Sequence, residues 1–108
     1  MPILKLEELR AAQIRALPRD RTVFFLPVGP LEDHGDALPI SLDLIEAEAI
    51  ARKTGELLEA EGWTAVIAPR VPLGIDANTS ALAIRVRPHV VRAYLVVFCD
   101  SLAREGFR

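Results

Sequence analysis

No basic block, no long apolar run and almost no cysteine mark this sequence, and each absence removes a class of function. The formal net charge is −2, from 13 lysines and arginines against 15 acidic residues, so the electrostatic footprint of a nucleic-acid-binding protein is missing. The first residues, "MPILKLEELRAAQIRALPRD", lack the apolar core of a signal peptide, and no apolar run is long enough to span a bilayer. The single cysteine, Cys99, excludes an intrachain disulfide. Set in "YLVVFCDSL", it reads as a buried structural thiol on a helix rather than a nucleophile. Neither a glycine-rich phosphate loop nor a Ser-His-Asp pattern is visible, and there is no internal repeat, low-complexity tract or interdomain linker. What remains is ordinary globular composition, 51% hydrophobic and 26% charged. The length makes one domain, residues 1–108, expected to be soluble and cytoplasmic.

The pattern along the chain predicts an α/β domain with a mainly parallel sheet and flanking helices. Residues 5–17, "KLEELRAAQIRAL", place Leu6, Leu9, Ala12, Ala16 and Leu17 near one side of a helix that Pro18 ends. "TVFFLPV", 22–28, is β-branched and aromatic with little alternation, as in a strand covered on both faces, and Pro27 suggests where its pairing stops. A long helix is expected from Asp43 to Ala60, closed by Gly62, with Asp43 and Glu46 at capping-box spacing. "WTAVIAP", 63–69, is a second apolar strand, so strand, helix and strand form a βαβ unit. "PLGIDANTS", 72–80, is turn-rich. "ALAIRVR", 81–87, alternates and predicts a half-exposed edge strand. Pro88 then opens a helix that runs to about Glu105 and stops at Gly106.

One stretch carries chemistry. In "FFLPVGPLEDHGDALPISLD", 24–43, Glu32 and His34 fall just past the carboxyl end of a strand, and Asp43 opens the helix that starts from the same edge. Ligands in open α/β sheets bind outside the carboxyl ends of the strands. Two carboxylates and an imidazole there suit zinc, manganese or iron, and residues two apart in an extended segment face the same way. The plainer alternative is a polar loop in which Asp43 caps its helix, Glu32 is solvated and His34 bonds a loop carbonyl. Around this group, Asp33 and Asp36 are loop residues that could support or replace a ligand, and His89 opens a later helix. Asp76, Asn78, Thr79 and Ser80 read as turn residues, Arg85 and Arg87 as the wet side of a strand, and Trp63 as a core or interface residue.

Residues 26–43, "LPVGPLEDHGDALPISLD", resemble the signature of the creatininase (creatinine amidohydrolase) family, a pattern of the form "LPvGs.EqHGpHLPlgtD". The matching positions are Leu26, Pro27, Val28, Gly29, Glu32, His34, Gly35, Leu38, Pro39 and Asp43. The likeness continues through the helix "LIEAEAIARKTGELLEAEG", "VIAPRVPLG" and "SLAREGFR". The resemblance implies a three-layer α/β/α metal-dependent hydrolase, often hexameric. Such enzymes open cyclic amides or cleave formamides and other non-peptide C–N bonds by metal-activated hydroxide. Carried over by position, Glu32 would bind one metal, His34 the other, and Asp43 would bridge them. Zinc is the first expectation for the ion, with manganese or iron as alternatives, and the substrate is a small-molecule amide.

The departures set further expectations. Asp36-Ala37 stands where the family often has Pro-His, and Ser41-Leu42 where Gly-Thr is usual. "IDANTSALAI" follows Gly74 in place of a histidine and an "FPGT" segment. An "NGHGGN"-type segment would come after Arg108. The chain is therefore expected to equal the N-terminal part of the family fold, incomplete at its C-terminus. It would hold part of the site and be inactive in isolation. A homo-oligomer or a complementing chain would cover apolar surface around Val90, Tyr94, Val97 and Phe98. The competing reading is a truncated or degenerate non-catalytic module that acts through self-association or a partner.

Overall fold

A computed structural model describes residues 3–75 and 82–108. In chain order the elements are β1 (Leu4–Lys5), a 3₁₀ turn (Leu6–Glu8), α1 (Ala11–Arg15), β2 (Thr22–Phe25) and β3 (Leu31–Glu32). They are followed by α2 (Leu42–Ala60), β4 (Thr64–Ile67), β5 (Ala83–Ile84) and α3 (Pro88–Arg104). The main sheet is parallel with the order β1-β4-β2. Its register runs from Thr22 opposite Thr64 to Phe25 opposite Ile67 on one side of β4, and Leu4 opposite Val66 on the other. An α/β fold with a parallel sheet and flanking helices is what the sequence led one to expect.

The centre of the sheet explains the sequence of β4. Every residue from Thr64 to Ile67 is buried, and Val66 is fully so. A strand with neighbours on both sides and cover above has no solvent face, hence no alternation. The cover is α2, which turns Leu44, Ala51 and Gly55 inward, spacings that share one helical face. A Cβ on Gly55 would stand 3.1 Å from the Cβ of Ala65, so glycine lets helix and strand come together. Thr22, the other buried polar residue of the sheet besides Thr64, satisfies its hydroxyl on the Pro18 carbonyl at 2.6 Å.

Three expectations need correction. The continuous helix over 5–17 is broken into a strand, a 3₁₀ turn and a one-turn helix, with Leu9 and Arg10 extended between them. Pairing of Leu4 and Lys5 with Val66 and Ile67 supplies β4 with its second neighbour, and that non-local pairing outweighs the helical spacing of the leucines. Of the strand expected over 81–87, Ala81 lies outside the described residues and only Ala83–Ile84 is strand. It pairs antiparallel with β3 in a separate ribbon rather than at the edge of the main sheet. Leu82 and Ile84 are exposed, so the alternation marks no core face. Asp76, Asn78, Thr79 and Ser80 also lie outside the described residues.

The third correction concerns α3. Its span, its opening proline and the glycine after it agree with the sequence, but it buries none of its residues. Cys99 is accordingly exposed rather than a buried thiol. The segment past the helix is anchored. There Phe107 is buried, edge-on to Phe24 with ring centroids 4.8 Å apart. The radius of gyration is 15.6 Å, against about 13 Å for a compact chain of this length. An open groove of about 590 Å³ runs between α3, at Val90, Tyr94 and Val97, and the Val71–Leu73 segment.

Candidate metal centre

The chain beyond β2 is built to hold its turns in place. Pro27 interrupts the ladder, and one more parallel bridge, Val28 to Val71, follows it. Val71 donates its amide to the Pro27 carbonyl at 2.9 Å, and Gly29 donates to the Val71 carbonyl at 3.2 Å. Next comes β3, tied to β5 by the pairing of Glu32 with Ala83 and by the Asp33 amide on the Leu82 carbonyl at 2.7 Å. The Glu32 amide also donates to the Ile40 carbonyl at 3.0 Å, closing the 33–39 loop at its base. Inside the loop, the Gly35 amide donates to Asp33 Oδ1 at 2.6 Å. Gly35 has φ +83°, a conformation that a residue without Cβ adopts at no steric cost. His34 sits in that turn.

Asp43 arrives from the other side. It lies in the first turn of α2, not at its cap. Ser41 is the N-cap, and its side chain makes no capping bond. The capping box read from Asp43 and Glu46 does not form, and the Asp43 carboxylate is left for something else.

The structure brings all three side chains together. One ligand-type atom from each of Glu32, His34 and Asp43 lies within 4.8 Å of the others, the only such group among the described residues. His34 Nε2 is 3.5 Å from Asp43 Oδ2 and 3.7 Å from Glu32 Oε1. Nδ1 of the same ring is 2.9 Å from the Glu32 backbone carbonyl. A carbonyl can only accept, so Nδ1 carries the proton and the neutral ring turns the lone pair of Nε2 toward the two carboxylates. That is the arrangement by which a backbone oxygen fixes the tautomer of a ligating histidine. The plainer reading, a histidine bonded to a loop carbonyl, thus describes one nitrogen of the ring and leaves the other aimed at the carboxylates.

Asp43 Oδ2 is buried and has no hydrogen-bond partner among the described residues, the 3.5 Å approach of His34 lying beyond the usual hydrogen-bond range. A buried carboxylate oxygen without a partner costs free energy, and a cation at this point would remove that cost. Oxygen and nitrogen donors of this kind fit a divalent transition metal. The same surroundings raise the pKa of His34. The Glu32 carbonyl is the largest cause, opposed by partial desolvation and supported by the charges of Asp43 and Glu32.

Other polar residues named from the sequence stand apart from this group. His89 is exposed at the start of α3, and Asp36, Arg85 and Arg87 are exposed as well. Asp33 serves the turn at Gly35. Trp63 is half-buried under the Arg21 guanidinium, 4.8 Å from the ring centroid. Glu48, bonded to Arg70 and 3.6 Å from Arg52, ties α2 to the segment after β4. What the residue pattern could not show is the support from the Ile40 carbonyl and the close approach of Gly29 to Asp43; the glycine in the motif was its only trace.

Comparison with curated proteins and with solved structures gives no match. The sequence model of the Creatininase family, creatinine amidohydrolase, matches residues 7–108. The match runs from the turn before α1 to the last residue, and the segment with the three converging side chains lies inside it. The chain belongs to the creatinine amidohydrolase family.

Proposed function

We propose that the protein is a metal-dependent amidohydrolase that cleaves a non-peptide C–N bond in a small molecule of the cyclic amide or formamide type. Glu32, His34 and Asp43 are its ligands for a divalent ion, with zinc first and manganese or iron as alternatives. The observation that carries this reading is the meeting of the His34 Nε2 lone pair with two carboxylates beside a buried oxygen without a partner. Two ligand atoms on one tetrahedral ion stand roughly 3.4 Å apart when each bond is about 2.0–2.1 Å. The 3.5 and 3.7 Å spacings are close to that, so His34 suits an ion shared with either carboxylate. The two ions implied by the family pattern would need further donors.

A divalent ion at this point supplies Lewis acidity toward a carbonyl oxygen and makes bound water more acidic. The chain's own residues do the rest. The Glu32 carbonyl holds the imidazole in one tautomer, the Glu32 amide fixes the loop to the start of α2, and the helix terminus favours the negative charge of Asp43. Three side chains leave coordination positions over, and the remaining ligands come from another segment or a complementing chain. No helix among the described residues is long and apolar enough to cross a membrane, and a cytoplasmic location belongs to the proposal. In the assembled enzyme, ring opening of creatinine or other cyclic amides, or deformylation of formamides, should stop on chelation and in Glu32→Gln. Residues 1–108 alone should hydrolyse little. Hydrolysis that survives both treatments would overturn the reading.

A specific observation favours a second reading, a module acting by self-association. No residue of α3 is buried, and Val97 is 64% exposed. Apolar residues on several sides of a helix are the mark of one that is covered. Sedimentation should show mass rising with concentration, and Val97→Asp should suppress the rise. A protein that stays monomeric at high concentration, with a cooperative melt, excludes association through α3.

A further inference from the structure

Gly29 stands between the Val28–Val71 bridge and Pro30, with its amide held by the Val71 carbonyl. A Cβ placed on it would lie 3.1 Å from the Asp43 Cβ, 3.3 Å from the Asp43 carbonyl carbon and 3.3 Å from the Leu44 amide nitrogen. Two of those three atoms are backbone of the first turn of α2, which cannot swing aside as the end of a side chain can. Gly29 is not among the glycines with positive φ, so the backbone does not require glycine there. What this glycine provides is space, and the space lies against Asp43. The His34 side of the site is fixed separately, by the Glu32 carbonyl on Nδ1 and the Glu32 amide on Ile40. A push at Gly29 therefore moves one ligand relative to the other.

We propose that Gly29 is a positioning residue for the metal centre, seating the Asp43 carboxylate against His34 by letting the first turn of α2 close onto the 26–30 segment. This rests on the reading of Glu32, His34 and Asp43 as metal ligands. Gly55 supplies an internal control. Its absent Cβ would also come within 3.1 Å of a neighbour, but that neighbour is Ala65 at the sheet, far along the same helix from Asp43.

The experiment compares the whole 108-residue chain as wild type, Gly29→Ala and Gly55→Ala. Zn²⁺ and Mn²⁺ are titrated calorimetrically, metal-free thermal melts are recorded, and metal-free crystal structures are determined. Gly29→Ala should weaken metal binding on the order of tenfold, the scale on which groups supporting a ligand act. Its Asp43–His34 separation should widen beyond 3.5 Å. Gly55→Ala should shift the melt and leave the affinity within twofold. Equal losses of affinity in both variants, an Asp43 that has not moved in Gly29→Ala, or a Gly29→Ala protein that no longer melts cooperatively would each make Gly29 a packing residue and overturn the proposal. If the wild type binds neither ion, the ligand reading fails. The crystal structures still decide whether Gly29 seats Asp43.

Discussion

Replacing His34 with alanine should weaken Zn²⁺ or Mn²⁺ binding by at least about a hundredfold, more than the loss of a supporting group alone would cause. The imidazole is the one nitrogen donor of the group. Its removal leaves two carboxylates that favour harder ions and hold a transition metal loosely. The pH dependence gives a second signature, with opposite signs in the two forms of the protein. In the metal-free protein the pKa of His34 is raised above its ordinary value of 6.5. The stabilisation from the imidazolium is then fully present below the unfolded pKa and is lost as pH rises through the folded one. Metal binding needs Nε2 unprotonated, so affinity should climb as pH rises through that same pKa and level off above it. Metal-free stability and metal affinity should therefore run in opposite directions over one interval. In His34→Ala both trends should flatten there. Calorimetric titrations and metal-free melts across the interval provide the check, and equal affinities in the two proteins would move the metal elsewhere.

Phe107→Ala should cost about 3–5 kcal/mol, a large part of the 5–15 kcal/mol or so that holds a domain folded. Phe107 is 6% exposed, the one buried residue in the last segment of the chain. It meets Phe24 of β2 edge to face, and the Arg19 guanidinium carbon lies 4.1 Å from its ring centroid. Arg19 also donates to the Glu105 carbonyl at the end of α3 and to the Leu17 carbonyl, each at 2.6 Å. One aromatic ring thus fastens the far end of α3, which buries nothing of its own, to the sheet. Urea unfolding should show a much lower midpoint for Phe107→Ala and a smaller drop for Phe107→Leu. An unchanged midpoint would mean that the anchor contributes nothing to folding.

The parts of the fold that were legible are those whose causes are local. β2 and β4 are short runs rich in β-branched and aromatic residues, α2 ends before a glycine, and α3 opens on a proline. These signals act within a few residues. The N-terminal helix and the edge strand were misread because their true partners are distant. Leu4 and Lys5 answer to Val66 and Ile67, while Ala83 and Ile84 answer to Glu32 and Leu31. No window of sequence contains either pair. Convergence of Glu32, His34 and Asp43 was legible because a strand's end and the next helix's start share one edge of a parallel sheet. The freedom of the Asp43 carboxylate was not, because a helix-start aspartate reads as a cap until Ser41 is seen to hold that position. Cys99 was misplaced because a helix apolar on several sides was assumed to have cover.

The hydrogen bond from Glu32 to the Ile40 carbonyl has a practical consequence. It separates the base of the loop, where His34 is held, from the tip at residues 36–39, which is exposed throughout. The departure Asp36-Ala37 falls in that tip, away from the bonds at Glu32 and Gly35 that hold the turn around His34. Added length there costs little, since doubling a loop adds only about 0.6 kcal/mol of closure entropy. A short reporter peptide could be spliced in after Asp36, leaving the turn at Gly35 and the clasp at Ile40 as they are. The chain carries a grafting point beside the Glu32, His34 and Asp43 group.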